Sequence, residues 1–243
     1  MQRSDMFGLP GTFTSRMTGI DTTGFHAWIP PLAMDLQFPK RLYYGRERVY
    51  QTITRGNIWR PISPLLLGLS AIAVAPSDSS FVYAGLNTGA ISVTSDALAA
   101  APSWTTVSAG LPPRYVTDIV VDPASPRTVY ATFNGISGFG SDTAGHVFRT
   151  TTGGSSWTDI SGDLPNIAAN GLIIEPDAPN TLYAATDIGV FSTRNGGVNW
   201  TLLGTGLPRA IVTGLAFQRS SRILRAGTFG RGAWDLVVPA PGR

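Results

Sequence analysis

With 243 residues, 28 glycines, 18 prolines, 14% charged side chains and no cysteine, the chain can build one large core but no disulfide, thiolate metal site or cysteine nucleophile. Its net charge of +3 rests almost wholly on arginine, Lys40 being the single lysine, and so mild a surplus does not point to nucleic acid. His26 and His146 lie too far apart in sequence to match a metal-ligand spacing, so neither a metal nor a cofactor is expected.

In chain order, the first readable element is GTFTSRMTGI (11–20), a short strand with Phe13 at its start. Four similar units follow, over residues 26–63, 70–110, 116–165 and 168–207. Each opens with an apolar strand that runs into a D-P-type turn: PPLAMDLQFP, SAIAVAPSDS, TDIVVDPASP, NGLIIEPDAP. A strand carrying tyrosine and small residues comes next (KRLYYG, SFVYAG, RTVYAT, NTLYAA), then a third (RVYQT, AISVT, HVFRT, GVFST). A Gly-containing turn leads to tryptophan and a fourth strand: NIWRPIS, PSWTTVS, SSWTDIS, VNWTLLG. The tryptophans, Trp59, Trp104, Trp157 and Trp200, are spaced by 45, 53 and 43 residues, the length of a propeller blade.

Four short strands per unit, joined by turn residues, predict an all-β fold: a β-propeller of four-stranded blades. One blade has two apolar faces that only radial packing against neighbours can bury. After Trp200 the chain supplies three more strands, IVTGLAF, RILRAGT and GAWDLVV, and no fourth. The expectation is therefore a single five-bladed domain whose last blade joins residues 210–238 to residues 11–20, with Phe13 in the tryptophan slot. Such a closed ring would be a monomer. The rival expectation is a piece of a larger propeller.

The turn before each tryptophan resembles the Asp-box (BNR) repeat, S-x-D-x-G-x-x-W. The copies place Thr54, Gly56 and Trp59; Thr152, Gly154 and Trp157; and Asn195, Gly197 and Trp200 in its slots. The remaining copy is interrupted, Ser95-Asp96 being followed by ALAAAP before Trp104, and no copy has Asp in the Asp slot at the right spacing. The resemblance runs from Phe25 to Trp234 and ends in G-x-x-G-R-G-A-W (227–234). It is to the Asp-box propellers: sialidases, xyloglucanases, sortilin-type domains and a photosystem II assembly factor. It implies structural roles for the turn residues and export to the periplasm or beyond. The N-terminal segment has no signal-peptide apolar core, and the longest apolar run, Leu65–Ala75, is too short to span a membrane.

The resemblance also implies a ligand face. It would carry the turns between second and third strands and the connections into each next blade. Arg46, Glu47, Arg48, Asn87, Asn134, Asp187 and Arg231 fall in those turns. His26, Trp28, Arg114, Tyr115, Asn166 and Arg209 fall in the connections, and Tyr44 stands beside the first turn. Arginine, amide and aromatic groups in a ring suit a glycan or an acidic protein partner. The Gly-rich loop 134–145 is the one clear insertion between paired strands.

Catalysis is harder to place. Glycosidases of the common kind need two carboxyl groups roughly 5–10 Å apart. Asp35, Asp122 and Glu175 repeat at one turn position, as turn chemistry explains; Asp187 and Glu47 are better sited. The sequence thus favours a non-catalytic binding module, with a glycoside hydrolase, or a subunit or assembly factor of a larger complex, as alternatives.

Overall fold

The computed structural model describes residues 1–24, 26–136, 144–204, 206, 207 and 209–240. Among the described residues every regular element is a strand, and the fold is all-β with propeller-type sheets. An N-terminal hairpin joins β1 (Gln2–Ser4) to β2 (Phe13–Ser15). Sheet one comprises β3 (Leu32–Met34), β4 (Leu42–Gly45), β5 (Val49–Thr52) and β6 (Arg60–Pro61). Sheet two holds β7 (Leu69–Val74), β8 (Val82–Leu86), β9 (Ile91–Thr94) and β10 (Thr105–Thr106). Sheet three holds β11 (Val116–Val121), β12 (Val129–Phe133), β13 (Val147–Thr150) and β14 (Thr158–Asp159). Sheet four holds β15 (Ala169–Ile174), β16 (Leu182–Thr186), β17 (Gly189–Thr193) and β18 (Thr201–Leu202). Sheet five has β19 (Val212–Gln218), β20 (Ile223–Thr228) and β21 (Gly232–Val237). All pairings are antiparallel and sequential.

The sheets stack through their first strands, β3 on β7, β7 on β11, β11 on β15 and β15 on β19. Period-two alternation gives each sheet a front and a back. Front residues Ile72 and Val74 share an apolar cluster with Tyr43 of the preceding sheet, and Ile119 and Val121 share one with Tyr83. Leu172 and Ile174 meet Tyr130, and Leu215 and Phe217 meet Tyr183, with the Phe217 and Tyr183 rings stacked at 6.3 Å. Each fully buried aliphatic side chain contributes about 1.5–3 kcal/mol, so these seams hold the arc of sheets together.

The repeated turn before each tryptophan is a hydrogen-bonded cap. Thr52, Thr150 and Thr193 accept the N–H of Gly56, Gly154 and Gly197 at 3.0–3.1 Å, these glycines having φ of 87–99°. Two positions on, Thr54, Thr152 and Asn195 accept the N–H of the residue just before tryptophan. The interrupted copy keeps the same bond. Asp96 Oδ1 accepts the N–H of Ser103 at 2.9 Å, next to Trp104, and the inserted residues bulge out between them. Spacing had hidden an aspartate in that slot. Each indole then reaches back one sheet: Trp104, Trp157 and Trp200 donate from Nε1 to the carbonyls of Ile62, Val107 and Ile160.

Trp59 makes the corresponding bond to Arg16 in the N-terminal segment, at 2.9 Å. The segment thus lies where a preceding fourth strand would lie, Phe13 standing three residues ahead of the accepting carbonyl as Trp59, Trp104 and Trp157 do in the other sheets. Its pairing differs from the expected one. Phe13–Ser15 pairs with Gln2–Ser4, whereas β21 pairs only with β20 among the described residues. The physical reason is local: a hairpin closed within 15 residues satisfies the β2 backbone without the cost of joining distant ends.

Candidate functional site

The connections into sheets one, two and three bring Trp28, Gly68 and Tyr115 to one register position, four residues ahead of Leu32, Ile72 and Ile119. Together with Ala27, Ile29 and Asn87 they line a cleft of about 260 Å³. Trp28 is almost wholly exposed, at 96%, and Tyr115 is half-buried. Glycine between them is required. Gly68 has φ of 81°, and a Cβ there would fall 2.2 Å from the Asn87 Oδ1. The absent side chain therefore leaves the floor of the cleft to the Asn87 amide, which is exposed and held by the Asn87 N–H bond to the Gly68 carbonyl at 2.8 Å. Two aromatic walls with an amide floor offer stacking and in-plane hydrogen bonds, the needs of a sugar ring.

The other expected site residues disperse. His26 is exposed and its Nδ1 donates to the Ala27 carbonyl at 2.8 Å. Arg46 and Glu47 are buried, which corrects their reading as ligand groups. They pair with each other; Arg46 donates to the Gly24 carbonyl, and Glu47 accepts the Tyr50 hydroxyl, so the connection at 21–24 roofs them over. Burial, with the Glu47 carboxylate second, pushes the Tyr50 phenol up to about 12. Arg48 donates to the Ser63 carbonyl, and Tyr44 packs its ring at 6.0 Å from Trp59 in the sheet-one cluster. Neither faces the cleft lining.

Arg114 is likewise structural. It donates to the carbonyls of Asn134, Ala144 and Gly145 and to His146 Nδ1, while His146 Nε2 donates to Asn166. This ties together the base of the Gly-rich insertion, whose residues 137–143 lie outside the described residues. Burial, then the nearby Arg114 charge, holds His146 below its ordinary value. Asp187, Arg209 and Arg231 are exposed on sheets four and five, away from the cleft lining, and Asp187 accepts from Asn170 at 2.9 Å. The acids at the first turns also differ in role. Asp35 and Asp122 bond their own turns as expected, but Glu175 is buried between the Tyr183 hydroxyl and Arg222 of sheet five.

One group escaped the sequence reading. Asp118, three residues beyond Tyr115, lies at the inner edge of sheet three, where the other sheets have Pro31, Ala71, Gly171 and Gly214. Its carboxylate accepts the N–H groups of Ile119 and Leu172, at 2.9 and 3.2 Å. Burial dominates those bonds and pushes the carboxyl up to about 6. The signal was present: a lone acid at a position otherwise small or apolar.

No protein-family model and no curated protein matches the chain. Among solved structures it is similar to an ancestral GH74 enzyme, with a TM-score of 0.67 and 22% identity over 84% of this chain and 28% of that one. It is also similar to the GH74 xyloglucanase from Xanthomonas campestris (TM-score 0.64, 12% identity, 90% of this chain and 39% of that one). A third is hydrazine synthase of Kuenenia stuttgartiensis (0.62, 15%, 86% and 58%). The chain thus spans well under half of the GH74 proteins it matches, and what it shares with them is the propeller fold.

Proposed function

We propose that the chain is a glycan-binding propeller unit that takes a xyloglucan-type oligosaccharide across the Trp28–Tyr115 cleft. The carrying observation is the pair of aromatic side chains at equivalent positions of sheets one and three, kept apart by Gly68 above a free-standing amide. Every sugar ring has an apolar face for stacking and hydroxyls at its rim for an amide, so the cleft chemistry and ligand chemistry match. The likeness to GH74 enzymes supports the same ligand class. It also favours a polysaccharide over the protein-partner and assembly-factor readings.

Calorimetry with xyloglucan oligosaccharides tests it. Binding that weakens at least tenfold in Trp28→Ala and in Tyr115→Phe/Asn87→Ala, with the fold intact by circular dichroism, is the expected result; tenfold corresponds to about 1.4 kcal/mol. Unchanged binding in both variants would remove the cleft from consideration, and no binding to any glucan would remove the ligand class.

Hydrolysis is the second reading, favoured by the likeness to GH74 enzymes, with Asp118, three residues beyond Tyr115 and raised by burial, as the carboxyl to test. Release of reducing ends by the native chain, lost in Asp118→Asn, is its expected signature.

A further inference from the structure

The register of the N-terminal hairpin repeats that of a third and fourth strand. In sheet four, Ser192 pairs with Thr201, Phe191 with Leu202, and the Leu203 N–H donates to the Val190 carbonyl. In the hairpin, Arg3 pairs with Thr14, Gln2 with Ser15, and the Arg16 N–H donates to the Met1 carbonyl. The turn agrees as well: Ser4 accepts the N–H groups of Met6 and Gly8 as Thr193 accepts those of Asn195 and Gly197. Residues 1–16 are therefore the outer half of a sheet, seated on sheet one by the Trp59–Arg16 bond.

No strand among the described residues forms the inner half of that sheet. Leu32 and Met34 stand at the positions of Ile72 and Val74, which elsewhere face the tyrosine-bearing first and second strands of a preceding sheet. Here they are 56% and 50% exposed. β1 leaves one edge unpaired among the described residues, on the side away from β2. An open strand edge beside an exposed apolar row is a template for strand addition.

We propose that this face is an interaction surface for a β-hairpin of the same repeat type, supplied from outside this chain. The hairpin's second strand pairs with β1, and its tyrosine packs over Leu32 and Met34. The four existing seams define the occupant: an alternating apolar strand, a tight turn, and a strand with tyrosine at its centre. Arg3 fits that occupant. It holds the register position of Arg149, whose guanidinium lies 5.7 Å from the ring centre of its cross-strand partner Tyr130. The chain's own sheet five does not fit. It already has a third strand in β21, which would compete with β1 for one place, and it carries Arg225, ion-paired to Asp235, where the tyrosine belongs.

The test uses the full chain and a synthetic peptide of its residues 168–188, the first two strands of sheet four. Hydrogen exchange should show the β1 amides slowing on addition of the peptide, with one-to-one binding. A peptide carrying Tyr183→Asp should bind at least tenfold more weakly. A second measurement guards against a peptide that fails to fold: a copy of residues 168–189 joined ahead of Met1 should raise Tm by several degrees, and the copy with Tyr183→Asp should not. Absence of both effects overturns the proposal. So does a disulfide within one molecule of Thr14→Cys/Asp235→Cys, which would show that sheet five occupies the face, or one between two copies of that variant.

Discussion

Thr117 of sheet three donates its hydroxyl hydrogen to the backbone carbonyl of Ala169 in sheet four, 2.6 Å away. The Ser70 hydroxyl does the same to Val116 at 2.8 Å, and the Asn170 amide donates from Nδ2 to the Val212 carbonyl at 3.1 Å. Each donor sits at the irregularity between the first and second strands of its sheet, which turns its side chain toward the neighbour. The innermost strand of a propeller sheet has no ladder partner on its inner edge, so its carbonyls need such donors. Thr117→Val keeps the shape and removes the donor. It should cost about 1–2 kcal/mol in urea unfolding, and Thr117→Ser should recover most of the loss.

Asp118 serves the same edge from the acceptor side, and its sign is opposite. Its pKa is raised by burial to about 6, so the protonated form is favoured in the folded state. The stability this contributes is full below the unfolded aspartate value of about 4 and is lost as pH rises through about 6. Asp118→Asn should flatten that part of the stability curve, and at pH 7 it should destabilise little or even stabilise. A series of urea midpoints from pH 4 to pH 7 reads both.

His146 runs the other way. Its pKa is lowered by burial first and then by the Arg114 charge, since protonation would cost the Nδ1 lone pair that accepts from Arg114, while the bond to Asn166 at Nε2 pulls the other way. The stability is present above the ordinary histidine value of about 6.5 and is lost as pH falls through the lower folded value. Acid should loosen the base of the 134–145 insertion first. Limited proteolysis there should accelerate in the native chain as pH falls below the ordinary histidine value, and be fast at all pH values in Arg114→Ala.

The repeat was legible because tryptophan and glycine recur at blade spacing, and so were the strands and the packing of one sheet on the next. The hairpin register was not. Gln2–Ser4 carries no apolar alternation, and only its bonds to Phe13–Arg16 identify it as a third strand. The site was half legible. Trp28 and Tyr115 stand out as large aromatics in connecting segments, and the structure joins them. Arg46, Glu47 and Arg114 read as polar loop groups, yet each is consumed by backbone carbonyls or by another side chain, which sequence does not reveal.

The cap at Asp96 makes a prediction about insertions. Six residues, Ala97 to Pro102, stand between the aspartate and the Ser103 N–H that it accepts, and Ala97 is buried, its carbonyl accepting from Gln51. The Thr94 hydroxyl bond, the largest cause, holds the Asp96 carboxyl below the usual range. Asp96→Ala should release the insertion and lower Tm more than Thr54→Ala does, since a charged acceptor holds an N–H more firmly than a hydroxyl. Deleting residues 97–102 should lower Tm as well, because it removes the Ala97 N–H bond to the Ser80 carbonyl and the Arg60 bonds to the Ala99 and Ala100 carbonyls together with the turn that the cap closes.

Gly68 couples the cleft to the backbone beneath it. At φ of 81° any other residue is strained, and a Cβ would meet the Asn87 amide at 2.2–2.8 Å. Gly68→Ala therefore carries two penalties: about 1 kcal/mol or more for the left-handed conformation, and displacement of the amide into the space between Trp28 and Tyr115. Asn87→Ala removes the amide without strain, and in the double variant Gly68→Ala/Asn87→Ala the clash is gone while the strain stays. Stability should thus fall most in Gly68→Ala, less in the double variant and little in Asn87→Ala, whereas oligosaccharide affinity should fall in all three. Native affinity in Gly68→Ala would mean that the sugar does not enter between the two aromatic rings.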